Sequence, residues 1–148
     1  MTNKNKGVRV KLYQPAHLTY VKLQQQQQYP EYQLTLEYLS YLKDESWPAF
    51  SLWHRNRCLG AVGVIKQWKN RAFVWCLLDE QAKHHLLGIT RHIQFQLEQL
   101  TIKRLETTCE VNFPQGERWL KLLGFEKECL AKSYMTDSRD IYIYRRLQ

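Results

Sequence analysis

Hydrophobic positions in this chain recur with two periods, and the switches between them mark its elements. Val8, Val10 and Leu12 alternate with Arg9, Lys11 and Tyr13, the period of a half-exposed first strand. Pro15 breaks that ladder and suits the first turn of a helix, which Leu18, Val21 and Leu23 carry toward a run of five glutamines at 24–28. Glutamine tolerates helix well, so the run reads as the polar end of that helix or as a loop. Tyr29 stands before Pro30, where helical geometry is disfavoured, and the helix stops there. A second helix over 31–43 carries Leu34, Tyr38 and Leu42 on one stripe with Tyr41 beside it, and Pro48 closes the unit.

The period returns to two over 49–54 and 58–66, strands joined by a turn at Arg55, Asn56 and Arg57. Gly60 and Gly63 in the second of these point to a bulge or a close backbone approach. After a turn at Lys69 and Asn70 comes Ala72-Phe73-Val74-Trp75-Cys76-Leu77-Leu78, apolar on both faces and therefore a central strand. A helix over 82–99 follows, with Leu86, Thr90, Ile93, Leu97 and Leu100 on one stripe. The stretch 103–111 alternates Leu105, Thr107, Cys109 and Val111 with Glu106, Thr108 and Glu110. Asn112 is placed to cap a short helix that has Pro114 in its first turn and Gly124 as its left-handed end. Strands over 125–134 and 140–147 close the chain. The order β, α, α, β, β, β, α, β, α, β, β predicts an α+β domain. It has a mixed, mostly antiparallel sheet of about seven strands and four helices on both faces. Only the crossover through 82–99 must join parallel strands.

Composition narrows the function classes. A chain of 148 residues with 44% apolar content, nine Tyr and five Trp folds as one domain, with residues 1–7 a polar, basic arm. No apolar segment behind that arm suggests a signal peptide, and no run reaches the roughly 18–20 apolar residues of a membrane helix. Twenty-two Lys and Arg against 14 Asp and Glu give a net charge of +8, which suits anionic partners, nucleic acid among them, or simply a solvated basic surface. Cys58, Cys76, Cys109 and Cys129 lack metal spacing, and His85 and His92 stand two helical turns apart, so no metal site is expected. Dispersed core thiols fit a reducing, cytoplasmic setting.

The order of elements resembles the GNAT acetyltransferases (the Gcn5-related N-acetyltransferase superfamily) over nearly the whole chain. Arg118-Trp119-Leu120-Lys121-Leu122-Leu123-Gly124-Phe125 resembles the family's fourth-helix signature, which ends in Leu-Gly-Phe. More narrowly, residues 78–125 resemble phage-encoded GNAT-like proteins, a group that includes internal virion proteins. The resemblance implies acetyl-CoA as co-substrate and an amine acceptor. It places the pantetheine arm on backbone of Cys76, Leu77 and Leu78, in a gap between the fourth and fifth strands. The pyrophosphate falls on the family's Arg/Gln-x-x-Gly-x-Gly/Ala turn, aligned here with Gln81-Ala82-Lys83-His84-His85-Leu86. Gln81 fits, while His84 and Leu86 replace both small residues. Lys83, His84 and His85 could offset the lost backbone access with charge.

For the acid and base, the fourth-helix tyrosine of the family is Leu120 here, and Tyr134 is the substitute acid. Base candidates are Asp79, Glu80, Glu106 and Glu110, with Glu110 first because it lies near the gap and is followed by Asn112. Two main readings follow: an acetyltransferase, or a catalytically silent GNAT-shaped partner protein, as in a phage particle. Nucleic-acid binding through the basic surface is a third. Acceptor choice would fall to the first helices and the terminal hairpin, which carry Tyr29, Tyr32, Tyr38, Tyr41, Tyr134, Tyr142 and Tyr144.

Overall fold

A computed structural model describes residues 7–29 and 33–148. Seven strands form one sheet in the order β1-β2-β3-β4-β5-β7-β6. They are β1 (Arg9–Leu12), β2 (Ser46–His54), β3 (Arg57–Trp68), β4 (Arg71–Leu78), β5 (Arg104–Glu110), β6 (Glu126–Ala131) and β7 (Ile141–Leu147). Every neighbouring pair is antiparallel except β4 and β5, which the crossover makes parallel. The described α-helices are α1 (Leu36–Glu45), α2 (Leu86–Gln99) and α3 (Pro114–Leu122).

The apolar run of β4 does what a central strand must. Ala72, Val74 and Leu78 join one core cluster, with Ile89, Ile93 and Leu97 of α2 and Leu120 of α3. Trp75 and Leu77 face the opposite way into a second cluster, with Leu39 and Leu42 of α1 and Tyr13, Leu18 and Leu23 of the preceding segment. Alternate side chains of one strand thus build two core layers. Gly60 is required where β3 bulges: its φ is +140°, and a Cβ there would lie 2.1 Å from the Leu77 carbonyl oxygen. Gly124 ends α3 with φ +89°, and the Phe125 amide bonds the Leu120 carbonyl at 2.9 Å.

Four expectations need correction. Residues 15–28 form no α-helix; they form two 3-10 turns, Pro15–Leu18 and Gln25–Gln27. Hydrogen bonds to the end of β4 and the residue after it win over local propensity here: Gln24 N–H donates to the Leu78 carbonyl, and Lys22 N–H to Asp79 Oδ1. Described α-helices therefore number three, not four. The second expected helix starts at Leu36 rather than at 31, because Thr35 caps it through Tyr38 N–H; residues 31 and 32, with Tyr32, lie outside the described residues. Pro48 does not close a helical unit and instead sits inside β2, where the register slips between Ser46 and Ala49 and no ladder donor is needed. Asn112 does not cap α3. It turns the chain with φ +67°, and Phe113 holds the cap position with no side-chain bond. Most of the expected arm, residues 1–6, lies outside the described residues.

Candidate functional site

Pairing between β4 and β5 lasts for only three positions, Arg71–Arg104, Ala72–Leu105 and Phe73–Glu106. The two strands then part. The Thr107 hydroxyl spans the start of the gap, donating to the Val74 carbonyl at 2.9 Å. Because backbone groups alternate along a strand, those of Cys76 and Leu78 face the same edge as that carbonyl. A cavity of about 310 Å³ opens there. One wall is Tyr29, Tyr38, Tyr41, Phe73 and Trp75; the other is Phe113, Trp119 and Leu120. The parting strands thus leave a passage between the two core layers.

The edge of β4 is not bare. The Gln27 carboxamide lies across it, donating through Nε2 to the Cys76 carbonyl and accepting the Leu78 amide through Oε1 at 2.8 Å. A primary amide held at both ends shows that this edge suits an amide ligand in extended register. That is the chemistry a pantetheine arm presents, so the residues fit the expected group. Gln27 is a site residue that sequence reading missed, since its glutamine run gave only a weak local signal.

The turn after β4 begins with Asp79, fully buried, which accepts from the Arg57 guanidinium at 2.7 Å and from the amides of Lys22 and Gln81 at 2.9 Å each. Gln81, Lys83, His84 and His85 fall in a 3-10 turn, Glu80–His85, and α2 proper starts only at Leu86. Its first turn is therefore Leu86, Leu87 and Gly88, so a glycine does stand there, two residues beyond the aligned motif. Gly88 backs onto Val8: a Cβ on it would meet Val8 Cγ2 at 2.7 Å. Lys83 and His84 are exposed, Leu86 is 38% exposed, and His85 stacks on His54 with ring centroids 4.1 Å apart. Burial, then the neighbouring His54 and His84, hold His85 below the ordinary histidine pKa. The start of this 14-residue helix keeps its positive dipole end, with exposed Lys83 and His84 in the turn just before it, an arrangement suited to an anion. Trp119 of α3 is tied to this turn through Thr90, whose hydroxyl accepts from the indole at 2.8 Å and donates to the Leu86 carbonyl at 2.6 Å.

Among the carboxylates, position decides. Asp79 has both oxygens engaged. Glu80 lies beside exposed Lys22, 3.8 Å away. Glu106 sits at the closed end of the strand pair, bonded to Arg71. Glu110 alone of the four lines the cavity, with Arg139 Nη1 3.6 Å from its Oε1. Asn112 is exposed beyond the strand end, and Tyr134 is exposed in the turn between β6 and β7, so the structure does not bring either to the cavity wall with Glu110. Leu120 lines the wall where the resemblance would put a tyrosine. Two thiols, Cys76 and Cys109, also line it, and burial pushes each up to about 12. They stay neutral and are poor nucleophiles. Among the described residues no cluster of three His, Cys, Asp or Glu forms that could hold a metal, and no helix is long and apolar enough to cross a membrane.

No protein-family model matches the chain, and no curated protein matches it by sequence. Solved structures do. Ard1 from Thermoplasma volcanium superposes with a TM-score of 0.76 at 18% identity, covering 95% of this chain and 97% of that one. The ribosomal-protein-S18-alanine N-acetyltransferase of Escherichia coli gives 0.73 at 14% identity over 95% and 93%. The spermidine/spermine N-acetyltransferase SpeG of Vibrio cholerae gives 0.69 at 13% over 97% and 94%. The fold is the GNAT fold that the order of elements resembled. At these identities the likeness reaches the fold, and activity has to be argued from the site.

Proposed function

We propose that this chain is an N-acetyltransferase that takes an acetyl group from acetyl-CoA to an amine acceptor. The observation that carries the reading is the early end of the β4–β5 ladder, which opens a passage through the sheet beside an amide-binding strand edge. Bound acetyl-CoA supplies the activated acyl group. Backbone of Cys76 and Leu78 would hold the pantetheine amides, Leu77 lying between them with its own backbone groups turned to β3. Gln81, Lys83, His84, His85 and Leu86, on the turn into α2, would carry the pyrophosphate. Glu110, which lines the cavity with Arg139 Nη1 3.6 Å from its Oε1, would take the proton from the acceptor ammonium. The neutral thiols favour direct transfer over an acyl-cysteine step. Tyr29, Tyr38 and Tyr41 give the acceptor wall an aromatic lining with hydroxyls, and they are better placed as proton donors than Tyr134. Asn112 is left with a turn-forming part. The spermidine and S18-alanine acetyltransferases among the similar structures act on amines, which supports an amine acceptor here. Cys58, Cys76, Cys109 and Cys129 are all unbridged, and on them we place the protein in a reducing, cytoplasmic setting.

A second reading has its own support. Gln27 on the β4 edge and Leu120 in the tyrosine's place suit a GNAT-shaped protein that has given up chemistry for binding, as in the phage virion group. For nucleic acid, the support is the net charge alone.

Thermal unfolding with and without millimolar acetyl-CoA separates the two main readings. Binding to the native state raises stability by about 2.7 kcal/mol at a hundredfold excess over the dissociation constant. We expect a shift of several degrees that adenosine diphosphate does not produce. No shift would remove the acetyltransferase reading in favour of the silent one.

A further inference from the structure

The segment that holds Gln27 behaves as a replacement for the missing part of the sheet. Glu80 N–H donates to the Lys22 carbonyl, Leu23 bridges Asp79 in antiparallel register, and Gln24 N–H donates to the Leu78 carbonyl. Gln27 then finishes the pairing with its side chain, over the groups that β5 leaves when it turns away. The chain satisfies its own strand edge, as a buried backbone requires. At its far end the segment is latched. Arg139 lies over the Tyr29 ring, 4.0 Å from the centroid, and its Nη2 reaches the Gln28 carbonyl at 3.5 Å. The same guanidinium faces Glu110 and is held by Asp137 at 2.6 Å.

We propose that Gln27 is a displaceable internal ligand: its carboxamide occupies the Cys76 and Leu78 backbone groups until an extended amide-bearing ligand takes them, and Arg139 latches the segment shut. This rests on the acetyl-CoA reading of the same site. Ligand and Gln27 cannot share the Leu78 amide, because one N–H serves one strong acceptor. The free energy of ligand binding is therefore reduced by the cost of withdrawing residues 24–28, and the apparent affinity falls with the fraction of molecules already open. Withdrawal also breaks the Gln28 contact of Arg139, so opening the edge loosens the group that faces Glu110. Binding and the charge environment of the candidate base are coupled through one side chain.

The test is calorimetric titration of acetyl-CoA into the wild-type protein, Gln27→Ala and Arg139→Ala, with the Leu78 amide followed by NMR hydrogen exchange in each. Loss of two ordinary hydrogen bonds from the closed state should tighten acetyl-CoA by about tenfold in Gln27→Ala. Arg139→Ala should tighten it by less, and the Leu78 amide of unliganded Gln27→Ala should exchange much faster than in the wild type. Acetyl-CoA binding all three proteins equally, or binding Gln27→Ala more weakly, would overturn the internal ligand while leaving the acetyltransferase reading intact. Acetyl-CoA binding Gln27→Ala but not the wild type would make Gln27 a plug that acetyl-CoA does not displace, overturning both the displaceable ligand and the acetyltransferase reading of the chain as it stands. Binding to none of the three would overturn the acetyl-CoA reading and the displaceable plug together.

Discussion

The two halves of β4 are built from one apolar run but end differently. From Arg71 to Phe73 the strand is paired on both sides, and this end of the strand pair is sewn by charge: Arg71 and Arg104 both meet Glu106, and Arg104 also meets Glu128. From Val74 to Leu78 the β3 side stays paired, and on the other edge, among the described residues, the hydrogen bonds go to Thr107, Gln24 and Gln27. The closed half is strand against strand, with many weak bonds closed cooperatively. The open half is strand against side chain, with a 310 Å³ cavity behind it. Stability belongs to the first arrangement, and exchange of partners is available only to the second.

The sharpest way to break this comparison is to truncate one core side chain in each half. Leu105 is fully buried opposite Ala72 in the closed half, so Leu105→Ala should cost about 2–5 kcal/mol, read as a lower midpoint in urea unfolding. Cys76→Ala removes one atom that already borders a cavity and should cost well under about 1 kcal/mol. Equal losses would mean that the open half is packed as tightly as the closed one.

Next in size is chemistry. Glu110→Gln keeps the shape of the cavity wall and removes the proposed base, so turnover should fall by about a hundredfold or more with the thermal midpoint nearly unchanged. A matched fall in both would make Glu110 a structural partner of Arg139. Turnover retained with the midpoint unchanged would move the base elsewhere.

The closed half carries a pH prediction. Burial by itself would raise Glu106, but hydrogen bonds from Arg71 and Arg104 overcome it and hold the carboxyl below the ordinary range. A carboxylate with a depressed folded pKa adds stability above its unfolded value, about 4.3, and loses it as pH falls through the lower folded value. Glu106→Gln should therefore lower stability at neutral pH and flatten the acid limb of the stability curve below pH about 4. An acid limb identical to that of the wild type would show that the ion cluster adds nothing.

The two halves were also unequally readable from sequence. The strands themselves follow from local pattern: seven apolar residues in a row for β4, a glycine where β3 bulges, and alternation in β5. The gap itself was reached through the resemblance in element order, not through any residue at the gap. Gln27 was invisible because its role is set by Cys76 and Leu78, about 50 positions away, while its neighbours Gln24, Gln25, Gln26 and Gln28 gave a propensity signal for helix. The helix after β4, expected from 82, starts at Leu86 for a related reason. Nothing local distinguishes the 3-10 turn Glu80–His85 from the first turn of an α-helix, and the anchor that separates them is the distant pairing of Asp79 with Arg57 and Lys22. Glu110 as base and Tyr134 as substitute acid were both candidates in one dimension, and only the fold puts Glu110 at the cavity and Tyr134 in solvent.

The smallest effect lies where the open half runs into α2. Leu86 opens that helix and is 38% exposed, so glycine there gives up little packing, and a first-turn position feels helix propensity less than an interior one. It nevertheless occupies the turn into α2 at the position where the resemblance puts a small residue beside the phosphate. Leu86→Gly should tighten acetyl-CoA binding a few-fold and lower KM with kcat unchanged, the pattern of a contact felt equally by bound substrate and transition state. The urea midpoint should barely move. If affinity does not change, the anion does not rest on this turn, and the Lys83 ammonium with His84 would have to hold it from the side. Combining Leu86→Gly with Gln27→Ala then decides whether the two ends of the open half act on one ligand: independent contacts on the same bound molecule give additive free energies, and only a shared opening motion makes the pair depart from the sum.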